Sequence, residues 1–169
     1  FSLAKALYFA IATKTDVINL SLSGPDDRLL RELLKIAVAR GLTVVAAFDA
    51  RRPNGGFPAD APGVVAVSDA RNGEAFIAPG RDVPTTEPGG RWALVNGSSF
   101  AAAHVSGLAA LIRQRQRAPG ITFVTERAGP IDACATLVLA TSNCDCSCGA
   151  FHGRAVGASS VGQAGLASR

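Results

Sequence analysis

The sequence predicts an α/β fold built on a parallel sheet. Three observations carry that expectation. The 169 residues are 48% hydrophobic with a mean hydropathy of +0.24, enough apolar material to bury a sizeable core in one globular unit. Two short apolar runs, Val17 to Leu22 and Leu42 to Phe48, flank a stretch whose leucines recur at helical spacing. Strand, helix and strand in that order form the crossover that joins neighbouring parallel strands.

In order along the chain, residues 2–14 place Leu3, Leu7, Ala10 and Ile11 on one helical face, with Ser2 as a candidate N-cap. Val17 to Leu22 follows as a short strand rich in β-branched and Leu residues, and Gly24-Pro25 turns the chain. Asp26 or Asp27 caps the next helix, whose apolar face is Leu29, Leu30, Leu33, Leu34, Ala37 and Val38; Gly41 stands where a C′ glycine ends it. After the strand Leu42 to Phe48, residues 49–62 are rich in Pro, Gly and Arg and read as a loop. Val64 to Val67, Phe76 to Ala78 and Trp92 to Val95 are further strand candidates. From Ser99 to about Gln116 the chain turns helical behind Ala101, Val105, Leu108, Ala109, Leu111 and Ile112, and Pro119-Gly120 stops it. Asp132 to Ala140 forms one more short helix. Beyond Cys148 the composition shifts to Gly, Ala and Ser, the mark of a mobile tail. Residues 1–140 therefore read as one folded unit and 141–169 as a Cys-containing, Gly/Ala/Ser-rich tail.

Composition also excludes classes. The formal charge of +4 comes from scattered arginines, with no dense basic run or interleaved aromatic stripe, so nucleic acid is not an expected partner. The cluster Arg113, Arg115 and Arg117 reads as a solvated helix end, where cations favour the macrodipole. No apolar run approaches the roughly 20 residues of a membrane span. Cys134, Cys144, Cys146 and Cys148 suit either two disulfides in a secreted or periplasmic protein or free thiols. They lack the paired knuckles of a structural zinc site. With Phe at position 1 and no Met anywhere, a piece of a longer protein is expected. The oligomeric state is not legible.

The chemistry concentrates in Gly97-Ser98-Ser99-Phe100-Ala101-Ala102-Ala103-His104-Val105-Ser106-Gly107. Small residues let the backbone turn sharply into a helix. Ser99 falls at the helix N-terminus, where free N–H groups and the positive dipole end favour a developing anion. Taken alone, Ser99 reads as an N-cap. The stretch, however, resembles the Gly-Thr-Ser-Met-Ala-x-Pro-His-Val-x-Gly signature of the subtilisin-like (S8) serine peptidases, with Ser99 at the nucleophile position. Ser98, Phe100 and Ala103 depart from it.

Further segments resemble the same family in the same order, from about Phe1 to Ala140. Ile18 to Pro25 is similar to the strand whose edge pairs with an extended substrate. Phe57-Pro58-Ala59, Val64 to Val67 and Ala78-Pro79-Gly80 match a loop, a strand and a turn of the family. The resemblance implies a subtilisin-like fold, truncated at its N-terminal side, and a serine endopeptidase acting on polypeptides. It implies that Ser21, Leu22, Ser23, Ala46, Ala47 and Phe48 contact the substrate. It also implies that the triad Asp and His, which precede the Ser in this family, lie upstream of Phe1. His104, five residues along the helix, is more than a turn from Ser99 and off its face, a structural position. His152 has no visible orienting partner. The chain as given is thus expected to lack triad-dependent activity, and as an isolated piece to be poorly stable.

The departure that matters most is Val44-Val45-Ala46-Ala47-Phe48-Asp49. The family pattern reads Ala-Ala-Gly-Asn here, with the Asn amide donating to the oxyanion. Phe48 replaces that Gly and would crowd the S1 pocket. Asp49 takes the oxyanion-hole position, yet an ionised carboxylate has no donor. Loss of this donor costs about a hundred- to a thousandfold in turnover in such enzymes. Three accounts of Asp49 compete: a protonated acid with a strongly raised pKa, a weak enzyme relying on the Ser99 N–H, or a decayed site. A catalytically inactive pseudoprotease, a peptide-binding or interaction module, is accordingly the alternative function. An α/β-hydrolase would need Gly where Ala101 stands. No cofactor or metal site is expected. Calcium binds many relatives, but no carboxylate loop with suitable spacing is present.

Overall fold

The computed structural model describes residues 2–115, 120–126 and 129–141. Helix α1 (Ser2–Ala12) leads into strand β1 (Val17–Leu20), helix α2 (Arg28–Ala39) and strand β2 (Thr43–Ala47). A single 3₁₀ turn (Pro53–Gly55) precedes β3 (Val65–Ser68) and the short β4 (Phe76–Ile77). The hairpin β5 (Val83–Glu87) and β6 (Arg91–Val95) then delivers the chain to α3 (Ser98–Arg115), and α4 (Ala133–Thr141) closes the described fold.

The strands β1-β2-β3-β4 form one sheet in that spatial order. All its pairings are parallel, Ile18 lying opposite Val44 and Ala46 opposite Ala66. The β1-α2-β2 crossover appears as the leucine spacing predicts. Asp27 is the residue that caps α2, its carboxylate accepting from the Leu30 N–H at 2.9 Å, whereas Asp26 pairs with Arg31 at 2.9 Å. Gly41 follows with φ 82°, the left-handed conformation that a side chain disfavours.

Period two in β2 separates the core into two layers. Val44 and Ala46 face Leu7 and Ile11 of α1 and Leu34 and Ala37 of α2. Val45 and Ala47 face Ala101, Ala102 and Val105 of α3. Ala101 and Ala102 are wholly buried; their small size brings the start of α3 close to the sheet, which positions the site. On the other face, truncating the buried Leu34 to Ala would cost about 2–5 kcal/mol.

Several expectations are corrected. β1 ends at Leu20, so Ser21 to Ser23 lie beyond the strand rather than within it. Val83–Glu87, not anticipated as a strand, pairs antiparallel with Arg91–Val95; its Pro and Thr residues carry no apolar alternation. Arg113 is not solvated. It is 9% exposed and its guanidinium donates to Thr43 Oγ1 at 2.8 Å and to the Gly41 carbonyl at 2.9 Å. The reason is position: α3 crosses the sheet so that Arg113 reaches the C-terminus of α2, where carbonyls lack intrahelical partners. Arg115 is exposed, and Arg117 lies outside the described residues. So does the predicted tail beyond Thr141, with Cys144, Cys146, Cys148 and His152.

Among the described residues no helix is long and apolar enough to cross a membrane, and no group of three or more His, Cys, Asp or Glu could hold a metal ion.

Candidate active site

Parallel strands present their carboxyl ends to one side, and in open α/β sheets that side forms the crevice for ligands. Here β1 ends into Ser21-Leu22-Ser23, β2 ends into Phe48-Asp49 and β3 ends into Asp69. The N-terminus of α3 arrives at the same edge. A groove of about 470 Å³ results, lined by Ser21 to Ser23, Ala47 to Arg52, Asp69 and Gly97 to Ser99.

Gly97 makes the entry to α3 possible. Its φ is 142°, a conformation that favours glycine. Its N–H donates to the Gly80 carbonyl at 2.8 Å and its carbonyl accepts from the Phe100 N–H at 3.0 Å. Gly80 is equally constrained, since a Cβ there would sit 2.7 Å from Asp69 Cβ and 2.9 Å from the Gly97 carbonyl. The half-buried Ser99 therefore lies in the first turn of a helix tied to the Ala78-Pro79-Gly80 turn. The first N–H groups of α3 have no carbonyl four residues back to bond, and with the helix dipole they make the spot favourable to negative charge.

Polar side chains hold this helix start from two sides. The Ser21 hydroxyl donates to the Ser99 carbonyl at 3.0 Å and accepts from the Asn19 amide at 3.0 Å. Ser106 Oγ donates to Asn19 Oδ1 at 3.1 Å. On the other side the Ser98 hydroxyl donates to Asp69 Oδ1 at 3.1 Å, and Asp69 Oδ2 pairs with Arg81 at 3.3 Å.

Asp49 shares the groove with Ser99, and period two in β2 directs it to the face that α3 covers. Its Oδ1 accepts from the Arg51 backbone N–H at 3.1 Å and from Arg51 Nε at 2.9 Å, while Oδ2 accepts from Arg51 Nη2 at 3.1 Å. Arg52 Nε is 3.6 Å away. The Arg51 guanidinium first, then the Arg51 N–H and the Ser23 hydroxyl, hold the Asp49 carboxyl well below the usual carboxylate range. This overturns the account in which Asp49 is a protonated acid: the shift runs in the opposite direction because a bidentate cation outweighs burial.

Phe48 lines the groove but its ring lies over Gly55, where an added Cβ would run into it. The ring also forms a wall of a second cavity with Ala59, Val64, Ala66 and Phe76. Ala47 reaches the groove. Ala46 does not, being wholly buried in the α1/α2 layer. His104 is away from the groove as well: its Nδ1 lies 2.9 Å from both the Pro79 and Phe100 carbonyls. Two acceptors there require Nδ1 to carry the proton, so His104 pins the turn to α3. Sequence reasoning missed Arg51, whose only signal was a charge two residues from Asp49 inside a loop. It also missed Asp69 and Ser98 as partners, because 29 positions separate them.

The Subtilase family model matches residues 1–150. The chain is 35% identical over 141 residues to an intracellular serine protease of Paenibacillus polymyxa, covering 72% of this chain and 43% of that protein. It is 36% identical over 122 residues to Subtilisin E of Bacillus subtilis (strain 168), covering 62% and 32%. Among solved structures, the self-cleaved protease domain of PatA superposes with a TM-score of 0.67 at 24% identity, covering 83% of this chain and 67% of that one. The chain spans a third to a half of the length of these curated relatives.

Proposed function

The chain belongs to the subtilase family and has the family's α/β fold, and from that premise we propose that Ser99 is the nucleophile of a serine endopeptidase. The observation that carries this reading is the placement of Ser99: first turn of α3, open to a groove at the carboxyl ends of β1, β2 and β3. An extended polypeptide entering that groove would run past Ser21, Leu22 and Ser23, and its scissile carbonyl would meet Ser99. The Ser99 oxygen attacks the carbonyl carbon, the amine leaves, and water releases the acyl-enzyme.

Abstraction of the hydroxyl proton falls to a histidine that we place, with its orienting aspartate, outside this chain. His104 cannot serve, since it does not line the groove and stands instead against the Pro79 and Phe100 carbonyls. The chain as given is therefore expected to be inactive alone. The place of Phe48 in the groove lining supports a preference for small P1 side chains. Cys134 is disulfide-bonded, which supports an oxidising, exported location. One similar protein carries the name intracellular serine protease, so cell fractionation decides between the compartments.

A second reading is favoured by Asp49 itself. A charged carboxylate at the oxyanion position suits a pseudoprotease that binds peptides without cleaving them. One experiment separates the two: treat the full-length gene product with a fluorophosphonate, map the adduct, and follow peptide hydrolysis. Labelling of Ser99, with hydrolysis abolished by Ser99→Ala, supports the peptidase. Peptide binding with no adduct and no hydrolysis supports the pseudoprotease.

A further inference from the structure

Asp49 poses a chemical problem that its neighbour answers. The carboxylate stands where the family pattern supplies an amide donor, and being ionised it can only accept. It is not, however, the outermost group at that position. Only 10% of the Asp49 side chain is exposed, against 89% of Arg51. The carboxylate forms the inner wall and the guanidinium lies outside it. Of the five N–H groups of the guanidinium, one on Nε and one on Nη2 go to Asp49. Among the described residues no acceptor takes the other three. Arg51 lines the same groove as Ser99, and the additional bond from its backbone N–H to Asp49 Oδ1 fixes the carboxylate on which its guanidinium rests.

We propose that Arg51 is a catalytic residue, with Asp49 as the positioning residue that aims it: the guanidinium donates to the substrate carbonyl oxygen as that oxygen becomes anionic. The inference rests on the peptidase reading of Ser99. When the Ser99 oxygen bonds to the carbonyl carbon, the carbonyl π pair moves onto oxygen. The hydroxyl proton passes to the imidazole of the triad histidine. The new negative charge then meets a cation anchored on Asp49, together with the N-terminal N–H groups of α3. A charge-assisted hydrogen bond is about twice as strong as a neutral one, so a guanidinium can do the work of the missing amide. A carboxylate behind it is then an asset, since a bidentate anchor removes the conformational freedom a lone arginine would lose on engaging the oxyanion.

The test uses the full-length gene product, a fluorogenic peptide substrate and fluorophosphonate labelling of Ser99. Arg51→Ala is expected to lower kcat by about a hundred- to a thousandfold with little change in KM, and Arg51→Lys to recover part of the loss. The decisive variant is the pair Asp49→Asn with Arg51→Ala. An asparagine restores an uncharged donor at the family position, so the pair should turn over faster than Arg51→Ala alone by about tenfold or more. Matching circular-dichroism melts establish that each variant is folded. An active wild-type protein in which Arg51→Ala leaves kcat intact, or in which Asp49→Asn brings no rescue, overturns the role of Arg51 alone. A wild-type protein with neither turnover nor labelling overturns the peptidase reading and this proposal with it.

Discussion

The hydroxyl of Ser21 donates to the backbone carbonyl of Ser99 at 3.0 Å, although 78 positions separate the two residues in the chain. One hydrogen bond thus joins the end of β1 to the start of α3, two segments that line the same groove. Ser21 was expected to serve the substrate through its backbone. Its side chain also braces the turn that carries Ser99.

Ser21→Ala should therefore cost more in turnover than in stability. The bond is exposed, so its loss should destabilise the fold by about 0.5–1.5 kcal/mol, read from chemical denaturation. The Ser99 turn loses its brace and the Asn19 amide loses an acceptor, so kcat on a peptide substrate should fall by about tenfold for each 1.4 kcal/mol of lost transition-state stabilisation. Unchanged kcat in a folded variant would leave Ser21 with a purely structural role.

The Asp49 carboxyl gives a pH prediction with a definite sign. Its pKa in the folded chain is depressed below the ordinary 3.8. The stability it contributes is present in full above that ordinary value and is lost as pH falls below it. Asp49 should stay charged from about pH 5 upward, and Asp49→Asn should leave the pH–rate profile unshifted there. An activity that falls on raising pH, and regains its level in Asp49→Asn, would instead identify a protonated Asp49.

Arg113→Met should destabilise the fold without touching the groove. Removing the guanidinium leaves the buried Thr43 hydroxyl and the Gly41 carbonyl short of a donor, at a cost of about 1–3 kcal/mol for each unsatisfied group. The midpoint of urea unfolding should drop while Ser99 labelling in the folded protein stays constant.

Gly55→Ala combines two penalties. The φ of 83° disfavours a side chain, and the new methyl would collide with the Phe48 ring. Relief by moving the ring should alter P1 preference. A library of peptides varied at P1, profiled on the variant and the parent, reads that change.

Much of the fold was legible because its signals are local. The leucine spacing of α2, a cap at Asp26 or Asp27 and Gly41 bound one helix between two apolar runs, and that arrangement leaves a parallel crossover as the ready solution. The small-residue turn at Gly97 to Ser99 announced the helix start. β5 escaped because an antiparallel hairpin strand of Val, Pro, Thr and Glu needs its partner to define it. Ala46 was expected near the substrate by its place in the motif, yet the pleat of β2 turns it into the core.

The sequence by itself determined the order of the elements apart from β5, the α/β class, the family resemblance and the place of Ser99, since each depends on residues within a turn or a few positions of one another. Only the tertiary structure decided how the charges behave. Whether Arg113 is solvated and which side chains grip the Ser99 turn depend on groups brought together by the sheet, and whether Asp49 is an acid or an anion depends on how its loop folds Arg51 back onto it. Coulombic and hydrogen-bond energies follow distance and burial rather than separation along the chain.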